Sequence, residues 1–388
     1  MLKVIRTLML CVAVVLTTAS CKDDDETPIV PNYLATQTIL VVQPHTPTLA
    51  RALQQNRDDI KANIKTHGLG NTRLVVYQGQ SNTSGTLTEY IYANGTVIEQ
   101  TLKSYQDFPM LNKESMTTLL RDVQQLAHPY GGHYSLIVGC HGMGWVPYGT
   151  YYPNRRIAKF IGGETSTTNM ETADLATAMA DAGMHTDYIL FDDCYMACAE
   201  VAYELKDVTD YLLASPAEIM AYGMPYSDLF HFLTTTPPDF DNIMTAFNSF
   251  YSRYDMPYGT YSVIDCREIG RLAFLMKTIN SRFTFDRAQE PLLQAYDGFS
   301  QNHASKHAFY DLGDYIEKLC TDADLRSQAH DLLQRLVPHK THTAYYYSKF
   351  DGLDHFINTY SGITVSDPTT NTLFQPALQT TAWWQATH

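Results

Sequence analysis

The sequence is short of positive charge. Its 27 Lys and Arg residues stand against 41 Asp and Glu residues, which gives a formal net charge of −14. Such a field repels polyanions, so we expect no nucleic-acid partner. It favours cationic substrates, although an acidic surface also serves solubility alone. Charge therefore argues against one class of partner without selecting a function.

Internal repeats and low-complexity segments are also missing, and the apolar run near the N-terminus is short. That run, TLMLCVAVVLTTAS, follows Lys3 and Arg6 and is too short to span a membrane. A basic start followed by such a run is typical of an export signal. We therefore predict that residues 1–20 are removed and that the mature chain carries a formal charge of −16.

The end of this predicted signal points to a lipid anchor. The small residues before Cys21, in LTTASC, resemble a bacterial lipobox, in which the cysteine is acylated and becomes the new N-terminus. The KDDDE that follows resembles the acidic export tag of surface lipoproteins in Bacteroides-like bacteria. We expect an outer-membrane lipoprotein exposed at the cell surface, with residues 21–35 as an acidic flexible tether. The alternatives are an ordinary secretory signal with a chance cysteine, and a merely solvated linker.

The number of cysteines is odd once the signal is removed. Of seven cysteines, Cys11 leaves with the signal and Cys21 is the predicted lipid site. An odd remainder in an exported protein indicates at least one thiol rather than a complete disulfide framework. The spacing of Cys194 and Cys198 has no matching Cys or His pair elsewhere, so a structural zinc site is not expected. We predict no metal site and no required cofactor, and a calcium requirement stays open.

Short apolar runs rich in Val, Ile and Tyr alternate with helical patterns, a rhythm typical of α/β domains. Six runs have the continuous hydrophobicity of strands buried on both faces. They lie at 38–43, 73–78, 134–140, 187–192, 210–215 and 260–265. Apolar residues at helical spacing predict helices at 48–64, 115–127, 170–183, 242–254 and 267–279. We predict one domain over 36–388, with a central, mostly parallel sheet.

Two further regions are less regular. Asn94-Gly95 lies between two strand-like runs and predicts a hairpin at an edge of the sheet or outside it. After about residue 285 the pattern weakens, with a helix near 322–336 and candidate strands at 342–348 and 358–365. We interpret this region as a continuation of the same fold.

Two predicted strands end in residues that can do chemistry. One leads directly into His141, which is followed by Gly142-Met143-Gly144, and the other leads into Cys194. Ligands of open parallel sheets collect beyond the carboxyl ends of the strands, and the helix at 170–183 would connect these two. A carboxylate beside a thiol opposes thiolate formation, so Cys194, which follows two acids, needs a base nearby or is chemically idle.

His141 is that candidate base. It can take the thiol proton of Cys194, and the N–H groups of Gly142 and Cys194 can hold the oxyanion of a tetrahedral intermediate. Acyl transfer is the reaction that suits this set. The alternative is that Cys194 is a buried, inert small hydrophobe and His141 an ordinary loop residue. Spacing alone leaves both open.

The segments CHGMGW and DDCYM resemble the paired signatures of the clostripain family of cysteine peptidases. In that family an H-G-x-G-W segment supplies the general base and a D-x-C-x-M segment supplies the nucleophile, which match His141 and Cys194. Weaker similarity extends over most of the mature chain. The resemblance implies a caspase-like α/β/α sandwich and cleavage after Arg or Lys. It also implies that Asp192, two residues before the nucleophile, lines the S1 pocket. Asp193 is expected to point to the other side of the strand end and to be structural or solvated.

The loop after the strand at 210–215 is expected to form another wall of S1. Family members often carry a second acid there, and Glu218 is the nearest candidate, although Tyr222 fits the position equally well. Preference between Arg and Lys is therefore open. Cys140 is expected to point away from His141 by strand alternation.

The linker at 151–169 fits no strand or helix pattern and carries Arg155, Arg156 and Lys159. Relatives are often cut in the corresponding linker, which implies self-cleavage after one of these residues. The alternative is an ordinary surface crossover with solvated basic residues.

Two other classes of function remain. One is a binding lipoprotein on a catalytically silent caspase-like scaffold, which the loss of His141 or Cys194 would favour; both are present. The other is a transpeptidase that uses the same Cys-His pair. The sequence predicts, ahead of these, a surface-tethered endopeptidase acting on peptides or proteins with Arg or Lys at P1.

Overall fold

The structure is a computed structural model that describes residues 34–147, 151–152, 155–156, 161–162, 169–298 and 307–388. The expected export signal, the Cys21 anchor and nearly all of the expected tether lie outside these residues. None of the described helices has an apolar stretch of the length that a membrane crossing needs.

The strands range from two to ten residues in length, and those at the centre of the main sheet are buried. In chain order they are β1 Gln37–Gln43, β2 Thr72–Ser81, β3 Ser84–Ala93, β4 Thr96–Tyr105, β5 His133–Val138, β6 Tyr151–Tyr152, β7 Arg155–Arg156, β8 Ile161–Gly162, β9 Asn169–Met170, β10 Thr186–Phe191, β11 Thr209–Ala214, β12 Thr260–Asp265, β13 Tyr310–Asp311, β14 His339–His342, β15 Tyr345–Ser348, β16 Leu353–Phe356 and β17 Thr364–Val365. All six runs predicted as strands are strands of one sheet.

That central sheet has nine strands in the order β14-β12-β11-β10-β5-β1-β2-β3-β4. The five strands from β11 to β2 are parallel, as the continuous apolar runs predict. Antiparallel strands extend the sheet at both edges. The Asn94-Gly95 hairpin joins β3 to the edge strand β4, and both turn residues have positive φ, 50° and 78°. β12, predicted within the mostly parallel sheet, runs antiparallel to β11.

Helices cover both faces of the sheet. They are α1 Ala50–His67, α2 Lys113–Leu126, α3 Thr172–Ala182, α4 Ala199–Leu205, α5 Tyr226–Leu233, α6 Phe240–Tyr251, α7 Ile269–Arg282, α8 Leu312–Leu319, α9 Ala323–Leu336, α10 Gln375–Leu378 and α11 Ala382–Thr387. The five helices predicted before residue 285 correspond to α1, α2, α3, α6 and α7. Gly183 ends α3 in a left-handed conformation, as expected.

Two separate cores follow from the alternation of side chains along the strands. On β1, Leu40 and Val42 face a core shared with α2, α3, α4 and α7. Ile39 and Val41 face the other core, shared with α1, α5 and α6. The molecule is therefore an α/β/α sandwich with the sheet between two helical layers.

The C-terminal region continues this fold. The helix predicted near 322–336 is α9, and β14 adds the last strand to one edge of the sheet. The strands observed in the candidate regions 342–348 and 358–365, β15 and β17, are shorter than predicted. β17 pairs with β13 rather than with the central sheet. Thr364 bridges Cys198, so the C-terminal region packs against the loop that leads into α4.

Candidate active site

His141 and Cys194 follow neighbouring parallel strands. β5 and β10 pair in register at Val138 and Phe191, and the Asp192 N–H donates to the Val138 carbonyl at 2.8 Å. Helix α3 provides the crossover between them, as predicted. Both side chains line one cleft with a volume of about 280 Å³. The structure therefore brings together the two residues that the sequence paired.

The loops that carry them touch at Gly142. A Cβ atom added to this glycine would lie 2.6 Å from the Cys194 carbonyl oxygen, 2.7 Å from Asp193 Cβ and 3.1 Å from Cys194 N. Any side chain would push the loops apart. Gly142 allows the two loops to approach each other closely. Gly144 has the positive φ, 60°, that turns the chain.

Asp193 ties the same two loops together. It is fully buried, and its Oδ1 accepts a hydrogen bond from the Cys140 N–H at 2.6 Å. Burial and the neighbouring Asp192 raise the pKa of Asp193 to about 8. Of the two expectations for Asp193, structural rather than solvated is therefore correct.

Cys140 departs from the prediction that it points away from His141. It lines the same cleft as His141, and its Sγ lies 3.5 Å from Asp193 Oδ2. Strand alternation no longer applies because β5 ends at Val138, two residues earlier. Burial and Asp193 raise the pKa of the Cys140 thiol well above its usual value, which keeps this thiol protonated.

Cys194 sits on a sharp turn between β10 and α4. The next residue, Tyr195, has a φ of 62°, a left-handed conformation that is rare for an aromatic residue. Its ring stacks on Phe309 with centroids 4.8 Å apart, and its hydroxyl donates to Glu218 at 2.9 Å. These contacts hold a strained backbone, and such strain is typical of functional turns. Cys194 itself is partly buried at the cleft.

His141 is held from two sides. Its Nε2 lies 2.8 Å from Thr48 Oγ1, in the turn directly before α1. Its backbone N–H donates to the Gly162 carbonyl and its carbonyl accepts from the Gly162 N–H, each at 3.1 Å. A base whose ring is oriented by a third group is the arrangement that activates nucleophiles.

Asp192 lines the same cleft. Its Oδ2 accepts from Asn56 Nδ2 and its Oδ1 from the Met224 N–H, both at 2.9 Å, and the Tyr226 hydroxyl is a further partner. Burial raises the pKa of Asp192 to about 7, against the hydrogen bonds from Met224 and Tyr226 that lower it. A cation bound beside Asp192 would favour the charged form of this carboxyl and lower its pKa.

The loop after β11 lines the cleft, as predicted, with Glu218, Ile219, Met220, Ala221 and Gly223. Glu218 is buried, and besides Tyr195 its Oε1 accepts the Lys349 N–H at 2.7 Å. The Tyr222 hydroxyl instead donates to Asp59 at 2.9 Å. Glu218 and Tyr222 were both candidates for this position of the S1 wall. Glu218 is the one that lines the cleft, and it also anchors the loop around Lys349.

The linker with the basic residues has more structure than the sequence indicates. β6 pairs with β7, and β8 pairs with β9, in two short antiparallel ladders. Arg155 and Arg156 form β7, whereas Lys159 lies outside the described residues. Through Gly162 this linker is paired directly to the backbone of His141.

The five described cysteines are thiols. Burial raises the pKa of the Cys198 and Cys266 thiols as it does that of Cys140, which leaves them protonated. Over the part of the chain that the structure describes, no group of three or more His, Cys, Asp or Glu side chains is arranged to hold a metal ion.

Sequence reasoning missed Thr48 and Asn56. Thr48 lies in the turn before α1 and Asn56 lies within α1, and both are more than 80 residues before His141 along the chain. Polar residues at these positions look like the ordinary solvent face of an amphipathic helix. The one sequence signal for Asn56 is that asparagine has a poor helix propensity and yet stands in the interior of a predicted helix.

Comparison with known proteins relates the chain to one family. The sequence model of the Clostripain family matches residues 56–372. A secreted C11 cysteine protease from Bacteroides thetaiotaomicron, "iotapain", is 40% identical, with 91% of this chain and 99% of that chain covered and a TM-score of 0.84. The search of curated proteins returned no match.

Two further solved structures are similar. A clostripain from Bacteroides thetaiotaomicron in complex with a peptide inhibitor is 45% identical over 59% of this chain and 99% of that chain, with a TM-score of 0.56. An inactive zymogen C11 protease from Parabacteroides distasonis is 26% identical over 93% of this chain and 100% of that chain, with a TM-score of 0.75.

Proposed function

This chain belongs to the clostripain family and is a cysteine peptidase of caspase-like fold, and on that basis we propose that it is an endopeptidase that cleaves after Arg or Lys. Cys194 is the nucleophile and His141 the general base. The observation that carries this proposal is that His141, Cys194 and Asp192 all line one cleft.

The proposed reaction begins when His141 takes the proton from Cys194 Sγ. The thiolate attacks the scissile carbonyl carbon, and the N–H groups of Gly142 and Cys194 stabilise the oxyanion of the tetrahedral intermediate. His141 then gives its proton to the leaving amine, and an acyl-enzyme remains. Water, deprotonated by His141, hydrolyses this thioester. The close approach of Gly142 to Cys194 N supports a shared oxyanion site.

The proposed P1 preference rests on Asp192. Among the described residues the hydrogen-bond donors to this buried carboxylate are neutral, and it would pair with a guanidinium or ammonium group through charge-assisted hydrogen bonds. The inhibitor bound in the Bacteroides thetaiotaomicron clostripain, BTN-VLTK-AOMK, has a peptide that ends in lysine. Glu218 adds a second carboxylate to the cleft wall, although its contacts with Tyr195 and Lys349 make it mainly a support.

We further propose that the protein acts outside the cell, on exported peptides or proteins. The similar protease from Bacteroides thetaiotaomicron is described as secreted. The anchor at Cys21 and the tether over 21–35 would hold the peptidase domain of residues 36–388 at the outer membrane surface. No cofactor is required in this proposal, and calcium dependence is left to experiment.

Self-cleavage in the linker is the remaining part of the proposal. The similar Parabacteroides distasonis protease is described as an inactive zymogen. Cleavage after Arg155, Arg156 or Lys159 would separate the chain before these residues from Gly162, which pairs with His141.

The test uses fluorogenic peptides with Arg, Lys or Asp at P1. Wild type should cleave the Arg and Lys peptides and leave the Asp peptide intact, and Cys194→Ala should cleave none. Analysis of the products in the presence of a nucleophilic amine separates hydrolysis from transpeptidation. Cleavage by Cys194→Ala, or equal cleavage of the Asp peptide, would contradict the proposal.

A further inference from the structure

Asn56 lines the cleft together with Asp192, to which its side-chain amide is hydrogen-bonded. We propose that Asn56 Oδ1 accepts an N–H of the basic P1 side chain, so that Asn56 and Asp192 bind this cation together. The inference rests on the proposed function and adds a specificity-determining residue to the same site.

Asn56 is positioned for this role. It lies in the interior of α1, is 3% exposed and lines the cleft. Its Nδ2 donates to Asp192 Oδ2 at 2.9 Å. The amide and the carboxylate are therefore neighbours on the same part of the cleft.

The contact with Asp192 fixes which way the amide points. When Asp192 is ionised, a reversed amide would place its oxygen against a carboxylate oxygen, and two acceptors would meet. With Nδ2 on Asp192, Oδ1 is buried and has no hydrogen-bond partner among the described residues. A buried acceptor without a donor is unfavourable for the fold, and a ligand that brings a donor removes this defect.

A basic P1 side chain brings more donors than Asp192 alone can use. Guanidinium has five N–H donors and ammonium has three. The carboxylate oxygens of Asp192 already accept from the Met224 N–H and from Asn56. An acceptor next to them satisfies a further N–H of the same cation, which neutral apolar side chains do not possess.

A merely supporting role for Asn56 predicts a different pH dependence. If Asn56 only supported Asp192, removing the Asn56 amide would raise the pKa of the Asp192 carboxyl. The variant would then lose Arg cleavage at neutral pH and regain it at a pH high enough to ionise Asp192. Asp192 also interacts electrostatically with the titratable groups of Cys140, Asp193, Tyr226, Tyr251 and Tyr261. Of these only Asp193, with a pKa of about 8, titrates near neutrality.

The experiment compares wild type, Asn56→Leu and Asn63→Leu. Asn63 is a matched control, because it is buried in the same helix and its Oδ1 likewise has no hydrogen-bond partner in the described part of the chain, but it contacts Ser227 and His231 instead of the cleft. The kcat/KM of peptides with Arg or norleucine at P1 is measured from pH 6.5 to about 9.5, above the pKa of both carboxyls. Asn56→Ala serves as a second variant, and thermal melting checks that each variant is folded.

We expect Asn56→Leu to lower the ratio of Arg to norleucine cleavage about tenfold, and this loss to persist at the highest pH. Asn63→Leu should leave the ratio unchanged. A ratio that recovers fully at high pH, or that never changes, would overturn the role of Asn56 as a direct acceptor. Failure of the proposed function is distinguishable, because wild type itself would then show no preference for Arg over norleucine.

Discussion

Thr48 Oγ1 lies 2.8 Å from His141 Nε2. A hydroxyl group can accept from an imidazole N–H, and when Nε2 carries the proton the other ring nitrogen, Nδ1, is the basic one. In the imidazolium form Nε2 still donates, so the contact serves both protonation states. Thr48 therefore orients the ring so that Nδ1 exchanges the proton with Cys194 Sγ in the proposed mechanism.

Replacing Thr48 by Val should lower kcat about three- to tenfold, because the hydroxyl contributes one hydrogen bond at an exposed position that water can partly replace. KM should change little, since Thr48 does not touch the P1 site. Thr48→Ser retains the hydroxyl and should restore kcat. Steady-state kinetics on an Arg peptide measure both. An unchanged kcat in Thr48→Val would show that the ring needs no such support.

Iodoacetamide should alkylate Cys194 before the other thiols. Cys194 is partly buried at the cleft that His141 also lines, whereas Cys140, Cys198 and Cys266 are buried, with pKa values raised by burial. At pH 7 we expect labelling of Cys194 to be at least about tenfold faster, as measured by peptide mass mapping. His141→Ala should slow it, and Cys266→Ala is the matched control that should not. Faster labelling of another cysteine would contradict the assignment of Cys194.

Gly142→Ala should impair the enzyme through geometry alone. The added Cβ would lie 2.6 Å from the Cys194 carbonyl oxygen, so the two loops must separate. We expect kcat/KM to fall about tenfold or more, because small misplacements of reacting groups are costly. Gly270→Ala is the control, since nothing lies within 4 Å of the added Cβ in α7, and it should leave kinetics unchanged. Wild-type kinetics in Gly142→Ala would show that the loops do not need this contact.

The sequence was sufficient for the parallel centre of the sheet because strands buried on both faces require unbroken apolar runs, as in β1, β5 and β10. It could not give the direction of β12, since a buried run reads the same in either direction. His141 and Cys194 were predictable as strand ends. Cys140 was not, because alternation stops where the strand stops, and Thr48 was not, because its contact with His141 spans 93 residues.

The buried carboxyl of Asp193 should make stability fall as pH rises. Its folded-state pKa, about 8, lies above the ordinary value of 3.8, so its stabilising contribution is complete below about pH 4 and is lost as pH rises through about 8. Asp193→Asn keeps an acceptor for the Cys140 N–H but does not ionise. Urea unfolding should show the variant more stable than wild type by at least about 1 kcal/mol at pH 9, with the difference vanishing near pH 4. Greater stability of wild type at pH 9 would show that the carboxylate is the favoured form.

Self-cleavage should convert wild type into two fragments that stay associated. The proposed sites, Arg155, Arg156 and Lys159, carry the side chains that Asp192 would bind at P1. Sequencing of the new N-terminus should place the cut after one of them. Cys194→Ala should remain a single chain when purified alone, and a trace of wild type should cut it in trans.

The matched variant replaces Arg155, Arg156 and Lys159 by Gln, which removes the charges that S1 would select while it retains long polar side chains. This variant should stay intact and show at least about tenfold lower kcat/KM on an Arg peptide, because the linker remains joined on both sides and Gly162 stays paired to His141. A protease that cuts exposed loops tests whether the intact linker causes the low activity. If the intact linker blocks the cleft, cleavage between residues 151 and 161 should restore activity. Full activity of the uncut variant would remove the activation step and leave the proposed His141–Cys194 chemistry untouched, because that chemistry does not require the cut.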